Sequence, residues 1–224
     1  MNTQKLRMPI DITMTLLSII LMGGTVLFPD DRVHQVLGMM LLVLWICHTA
    51  LNHRWYGSLL RGKYQPYRIM QIVVNLALSA CALLLLVSGL MMAWFFPFDV
   101  GEGLGFARTA HLVSSHWYYL FMCAHLGMHA AMILGKMTKG RKLPLPATVI
   151  SILVCLYGVY AFIIRGIAKY MFLRQEFFFI DLERGYLLFA ADYLSILVLI
   201  ASVSHWLGKG LLALGKKKTE VHED

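Results

Sequence analysis

HLVSSHWYYLFMCAH, residues His111 to His125, decides the fold, because an earlier segment, His34 to His48 in HQVLGMMLLVLWICH, repeats its spacing. In each, two histidines stand 14 residues apart. On an α-helix 14 residues fall about 40° short of four full turns and rise roughly 21 Å, so the two histidines of a pair share one face. Two such helices side by side can clamp two flat cofactors, one above the other.

The surroundings of both segments are apolar. The chain has 224 residues, of which 59% are hydrophobic and only 14% charged, with a mean hydropathy of +0.68. That is too apolar for a soluble domain of this length, and an all-α integral membrane bundle is expected. The formal net charge of +8 raises the question of nucleic acid. Its positive residues, however, sit in short clusters between apolar runs, where lipid headgroups and membrane topology account for them, so the lipid bilayer is the expected partner and nucleic acid is not. Cys47, Cys81, Cys123 and Cys155 are isolated within apolar runs, with no readable disulfide framework or zinc knuckle. No CxxCH is present, which excludes covalent c-type haem attachment.

Six transmembrane helices are expected. The first runs from Ile10 to Phe28; it is too long for a signal peptide, and no small-x-small cleavage site precedes the PDD at Pro29 to Asp31. Helix 2 covers Val33 to Leu51, helix 3 Ile69 to Phe96, helix 4 Phe106 to Leu134, helix 5 Ala147 to Ala168 and helix 6 Tyr186 to Leu207. The segment KYMFLRQEFFFIDLERG reads as interfacial and amphipathic, and the tail GKKKTEVHED as a solvated charge run. The N-terminus, the loop NHRWYGSLLRGKYQPYR, the loop GKMTKGRKLPLP and the C-terminus hold 14 of the 20 Lys and Arg residues. By the positive-inside rule both termini are cytoplasmic.

Helices 2 and 4 then run parallel, so equal spacing becomes equal depth. His34 and His111 lie near the outer face, and His48 and His125 about 21 Å deeper. Each pair can supply two imidazoles to one iron, giving two six-coordinate b-type haems that carry electrons. The competing reading packs each histidine in the bundle interior against a hydrogen-bonding neighbour. Four histidines in matching registers weaken it, since polar groups in the hydrocarbon region are expensive. On the haem reading, residues 1–135 form a haem-binding four-helix bundle, and 136–224 add two further transmembrane helices and a basic cytoplasmic tail to the same membrane domain.

Other polar residues take lesser parts. His125 and His129 have the i, i+4 spacing of paired imidazoles on zinc, and His53 follows His48 by five, but no carboxylate lies between them as in HExxH. His53 and His129 are therefore supporting candidates, for a propionate or for a quinone or donor site. Gly38 and Gly127 leave room for a planar cofactor or serve helix packing, as do Gly23, Gly24, Ser88 and Gly89. Arg108 is the candidate partner for outer propionates, and Arg54 or Lys136 for inner ones. Asp192, the one acid well inside a span, is a functional candidate or a structural residue capped by Tyr193. His116 is out of phase with the ligand face and reads as a packed histidine, as does His205.

The segments HQVLGMMLLVLWICHTALNHRWY, SGLMMAWFF and ARTAHLVSSHWYYLFMCAHLGMH resemble the flavinylation-associated cytochrome family of bacterial membrane proteins, itself similar to the wider group of di-haem transmembrane cytochromes b. The resemblance is clearest over residues 8 to 135, and FFFIDLERGYLLFAADYLSILV looks like the family's last helix. The combination of H-x13-H, LN-x-x-W and HLGxH carries it. What the resemblance implies is an electron conduit in the bacterial cytoplasmic membrane, with ligand positions at His34, His48, His111 and His125. It also implies an extracytosolic flavoprotein partner bearing covalent FMN; no flavin-attachment segment occurs here, so FMN belongs to the partner. The expected function is electron transfer between a cytoplasmic-side or quinone donor and that partner. The enzymatic alternative is a quinol-dependent or metal-reducing oxidoreductase with its own pocket, involving His53, His129, Arg7 and Asp192. A metal or proton carrier is the third reading, but inverted repeats and broken midplane helices are not evident.

Overall fold

The computed structural model describes residues 3–28, 30–95, 100–139, 143–179 and 185–220. Expectations touching Pro29, Phe96, Arg141, Lys142, Arg184 and the last four residues lie outside them. Every regular element among the described residues is helical: α1 (Thr3–Leu21), α2 (Asp31–Leu51), α3 (His53–Gly57), α4 (Pro66–Met91), α5 (Gly103–Met137), α6 (Leu145–Ile164), α7 (Ile167–Met171) and α8 (Gly185–Glu220), with a 3-10 turn at Thr25–Leu27. Five of them, α2, α4, α5, α6 and α8, are long and apolar enough to cross a membrane. This is a multi-pass membrane architecture.

Local chemistry sets the helix ends. The Asp30 side chain caps α2 by accepting from the Arg32 amide at 2.8 Å, and Asp31 places negative charge at the positive end of the helix dipole. At the other end the Asn52 amide group donates to the His48 carbonyl at 2.8 Å. Several boundaries differ from the sequence expectation. The first helix begins at Thr3 and stops at Leu21, not Phe28, because Gly24 takes a left-handed φ of 60° and the chain turns. The fifth stops at Ile164, not Ala168, because Gly166 has φ 62°. The chain then resumes as the short α7. The last helix runs further than expected, through the basic run to Glu220.

The chain divides into two compact units. Unit 1 comprises Met1–Gly62, Cys81–Tyr119 and Lys169–Ala190; unit 2 comprises Lys63–Ala80, Leu120–Ala168 and Ala191–Asp224.

In unit 1, α1 packs along α2. The Arg7 guanidinium donates to the Leu51 carbonyl at 2.8 Å and so satisfies a carbonyl at the end of α2. Ser18 and Tyr118 share a buried hydrogen bond of 3.1 Å, and the Trp117 indole donates to the Met171 carbonyl at 3.1 Å. No residue of α2 is buried. An apolar helix exposed on this scale is suited to lipid or to a ligand, not to water.

In unit 2 the backbones approach closely at glycines. A Cβ on Gly127 would fall 2.3 Å from the Ala201 carbonyl oxygen, and one on Gly158 would fall 2.5 Å from that of Ser195. These small residues let α5 and α6 pack onto α8. The Ser204 hydroxyl reinforces the contact by donating to the Ala124 carbonyl at 2.8 Å.

Candidate cofactor site

Unit 1 brings together the first histidine of each repeated segment. His34 on α2 and His111 on α5 face each other with ring centroids 6.2 Å apart and planes inclined at 67°. Metal–imidazole bonds of about 2 Å place two rings on opposite sides of one iron with centroids roughly 6 Å apart. The pair therefore has the separation that bis-histidine ligation requires.

A cavity of about 590 Å³ adjoins the two rings, walled largely by Leu, Met and aromatic side chains. It is of the size that cofactor pockets have. Gly38 and Gly89 are on its wall. A Cβ on Gly38 would meet nothing within 4 Å, so that the missing side chain leaves open space, whereas one on Gly89 would lie 3.4 Å from His111 Cε1. Arg108 also lines the cavity, which puts one exposed cation at a mostly apolar site, as an acidic edge of a ligand needs.

The protonation of His111 follows from its neighbours. The Ser88 hydroxyl donates to the Leu84 carbonyl at 2.6 Å, so its oxygen accepts from His111 Nδ1 at 3.1 Å. That leaves Nε2 as the nitrogen carrying the lone pair, the tautomer a metal-binding imidazole needs. His34 Nδ1 is buried and has no hydrogen-bond partner, while the Gly24 backbone lies near the ring.

His116 is 1% exposed and lies on the cavity wall. Its Nδ1 donates to the Leu112 carbonyl at 2.8 Å and its ring stacks on Tyr170 at 4.6 Å, as a packed histidine would. Its Nε2, however, is buried with no hydrogen-bond partner. The helical-phase argument that set His116 aside did not anticipate its place on this wall.

The second histidines of the two segments are held firmly, each in its own unit. In unit 1, His48 Nδ1 lies 2.7 Å from the Asp11 carboxylate of α1. In unit 2, His125 Nδ1 lies 2.7 Å from the Asn75 side-chain oxygen of α4, and its ring meets that of His129 edge to face at 4.9 Å. A carboxylate or amide oxygen at Nδ1 is the support that orients metal-binding imidazoles. Asp11 and Asn75 are the residues that sequence reasoning missed. The available signal was a lone acid in MPIDITM and a lone amide in IVVNLAL.

The remaining candidates are more dispersed. His53 is exposed, and its Nδ1 lies 2.8 Å from the Ala50 carbonyl, just after the end of α2. Arg54 is exposed on α3 and Lys136 on α5. Gly127, expected beside a cofactor, has its bare face against Ala201. Asp192 is fully buried in unit 2, where the Tyr157 hydroxyl donates to its carboxylate at 2.5 Å and the Arg165 Nε at 2.8 Å. Among the described residues no group of three or more His, Cys, Asp or Glu side chains is placed to hold a metal ion. Comparison with family models, with curated proteins and with solved structures finds no match to this chain.

Proposed function

We propose that the chain is a membrane electron-transfer protein holding b-type haem, with His34 and His111 the ligands of one haem and His48 and His125 the further ligand candidates. The observation that carries this reading is the facing of His34 and His111 at 6.2 Å beside an apolar cavity of about 590 Å³. The second pair rests on the repeated 14-residue spacing and on the hydrogen bonds that orient each of its rings. A bis-histidine haem exchanges single electrons and keeps no open position for oxygen.

The residues divide the work. Ser88, Asp11 and Asn75 fix three of the imidazoles by accepting at Nδ1. Gly38 leaves room for a planar ligand, apolar walls exclude water, and Arg108 supplies a cation for propionates. In this reading α1 is the sixth span, although Lys5, Arg7 and Asp11 make it the most polar of the six. Both termini are cytoplasmic, the membrane is the bacterial cytoplasmic one, and electrons pass between a cytoplasmic-side or quinone donor and an extracytosolic FMN-bearing flavoprotein. Purified protein should give a pyridine haemochrome spectrum of b type with two haems per chain. A colourless protein sinks the reading, and one haem per chain removes the second pair.

One observation favours the alternative, a quinol-dependent oxidoreductase with its own pocket: the buried, unpartnered His116 Nε2 on the cavity wall. Turnover of a quinol analogue with a soluble acceptor, by the isolated chain, would select it.

A further inference from the structure

Only one of the two facing imidazoles in unit 1 is held from behind. The Ser88 hydroxyl donates to the Leu84 carbonyl at 2.6 Å, so its oxygen accepts from His111 Nδ1 at 3.1 Å, whereas His34 Nδ1 is buried with no hydrogen-bond partner. We propose that Ser88 is a positioning residue that makes His111 the fixed ligand of the haem in unit 1 and leaves His34 the displaceable one, so that a small neutral ligand of ferrous iron is admitted in place of His34. This inference rests on the haem reading above, at His34 and His111 alone.

The two ligands differ in their helices as well as in their hydrogen bonds. Around His111 the α5 residues Ala107, Ser114 and His116 are all buried, and a Cβ on Gly89 would lie 3.4 Å from His111 Cε1, so that imidazole is confined. His34 sits on α2, which has no buried residue. Its neighbours, the Phe28 ring at 6.2 Å and the Gly24 backbone, lie beside the ring without fixing its second nitrogen. A hydrogen bond at Nδ1 orients an imidazole and strengthens its bond to a metal. Withdrawing His111 from iron breaks the bond to Ser88; withdrawing His34 breaks no hydrogen bond. The cavity of about 590 Å³ that adjoins both rings is walled largely by Leu, Met and aromatic side chains, which suits a neutral diatomic molecule and disfavours an anion.

The step is a ligand substitution without redox change. The bond from iron to His34 Nε2 breaks, a bond from iron to the incoming neutral molecule forms, iron stays ferrous and no proton moves. At rest both imidazoles are bound and no position is open. The site then has a second function beside electron transfer, as a receptor for a diatomic gas.

The test is carbon monoxide added to the purified, dithionite-reduced full chain. A carbonyl adduct should form, and flash photolysis should leave a five-coordinate ferrous haem whose iron–histidine stretch is read by resonance Raman. Ser88→Ala should lower that frequency, because the retained imidazole loses its acceptor, and Ser88→Thr should restore it. A frequency that ignores Ser88→Ala overturns the proposal, as does a haem-bearing wild type that forms no adduct. Should Ser88→Ala hold no haem, wild type decides by itself, through modification with diethyl pyrocarbonate mapped by mass spectrometry. Carbon monoxide should raise the modification of His34 at least about tenfold and leave His111 protected. Modification of His111, of both or of neither overturns the proposal. A wild type without haem sinks the haem reading itself, which is a different result.

Discussion

Two buried polar clusters, one in each unit, are built on opposite plans. Around Asp192 in unit 2 the polar groups close on one another: Tyr157 and Arg165 both bond the carboxylate, and Ser195 bonds the Asp192 carbonyl at 2.7 Å. Around His34, His111 and His116 in unit 1 they do not close. His34 Nδ1 and His116 Nε2 lack hydrogen bonds, and a cavity lies alongside. Burying a polar group without a partner is unfavourable by about 1–3 kcal/mol. A chain that does so next to an apolar void is arranged for something that enters; a chain that matches every charge is arranged for itself. Both clusters are polar islands in apolar sequence, and only their completeness tells them apart.

The sharpest way to break this contrast is to remove one member of the open cluster. His111→Ala and His34→Ala should each abolish the same haem, taking the haemochrome from two per chain to one. Loss of different haems from the two variants would separate the residues that the 6.2 Å contact joins. Next in size is the closed cluster. Asp192→Ala leaves Arg165, only 8% exposed in its side chain, as an uncompensated buried charge and should destabilise the protein by about 3–5 kcal/mol in thermal inactivation, with haem per folded chain unchanged. Intact stability with altered redox behaviour would move Asp192 to the functional side. The smallest effect comes from a pair of glycines. Gly127→Ala forces a methyl onto the Ala201 carbonyl and should reduce stability by about 1–3 kcal/mol. Gly38→Ala meets open space, so apoprotein stability should hold while haem content falls.

The helical architecture was legible because hydropathy acts over whole spans. All five helices long and apolar enough to cross a membrane coincide with runs read directly from the sequence, and the start and end of α2 agree to within two residues. The repeated spacing of His34, His48, His111 and His125 was legible for the same reason, since helix periodicity turns sequence separation into direction. What was hidden depends on contacts between distant segments. Asp11 and His48 are 37 residues apart, Asn75 and His125 are 50 apart, and no local pattern announces either pair. Gly166 was hidden differently: a left-handed residue inside an apolar run leaves the hydropathy profile unchanged while ending the helix. Asp192 shows the limit of reading single residues. Its place inside a span was anticipated, but Arg165, its cation, lies 27 positions away at the end of another helix.

The exposure of α2 bears on how the protein is made. With no buried residue, α2 has α1 packed along it and is hydrogen-bonded in unit 1 through Arg7 and Asp11 at one end and through Gln35, which takes the Trp94 amide at 3.0 Å, near the other. Most of its inner face looks onto the cavity. On the proposed haem reading, a newly inserted chain without its cofactor would hold this helix by α1 alone along its length and leave its cavity face open to membrane proteases. Cofactor supply would then govern how much of the protein survives in the cell, and cells starved of haem would keep little of it.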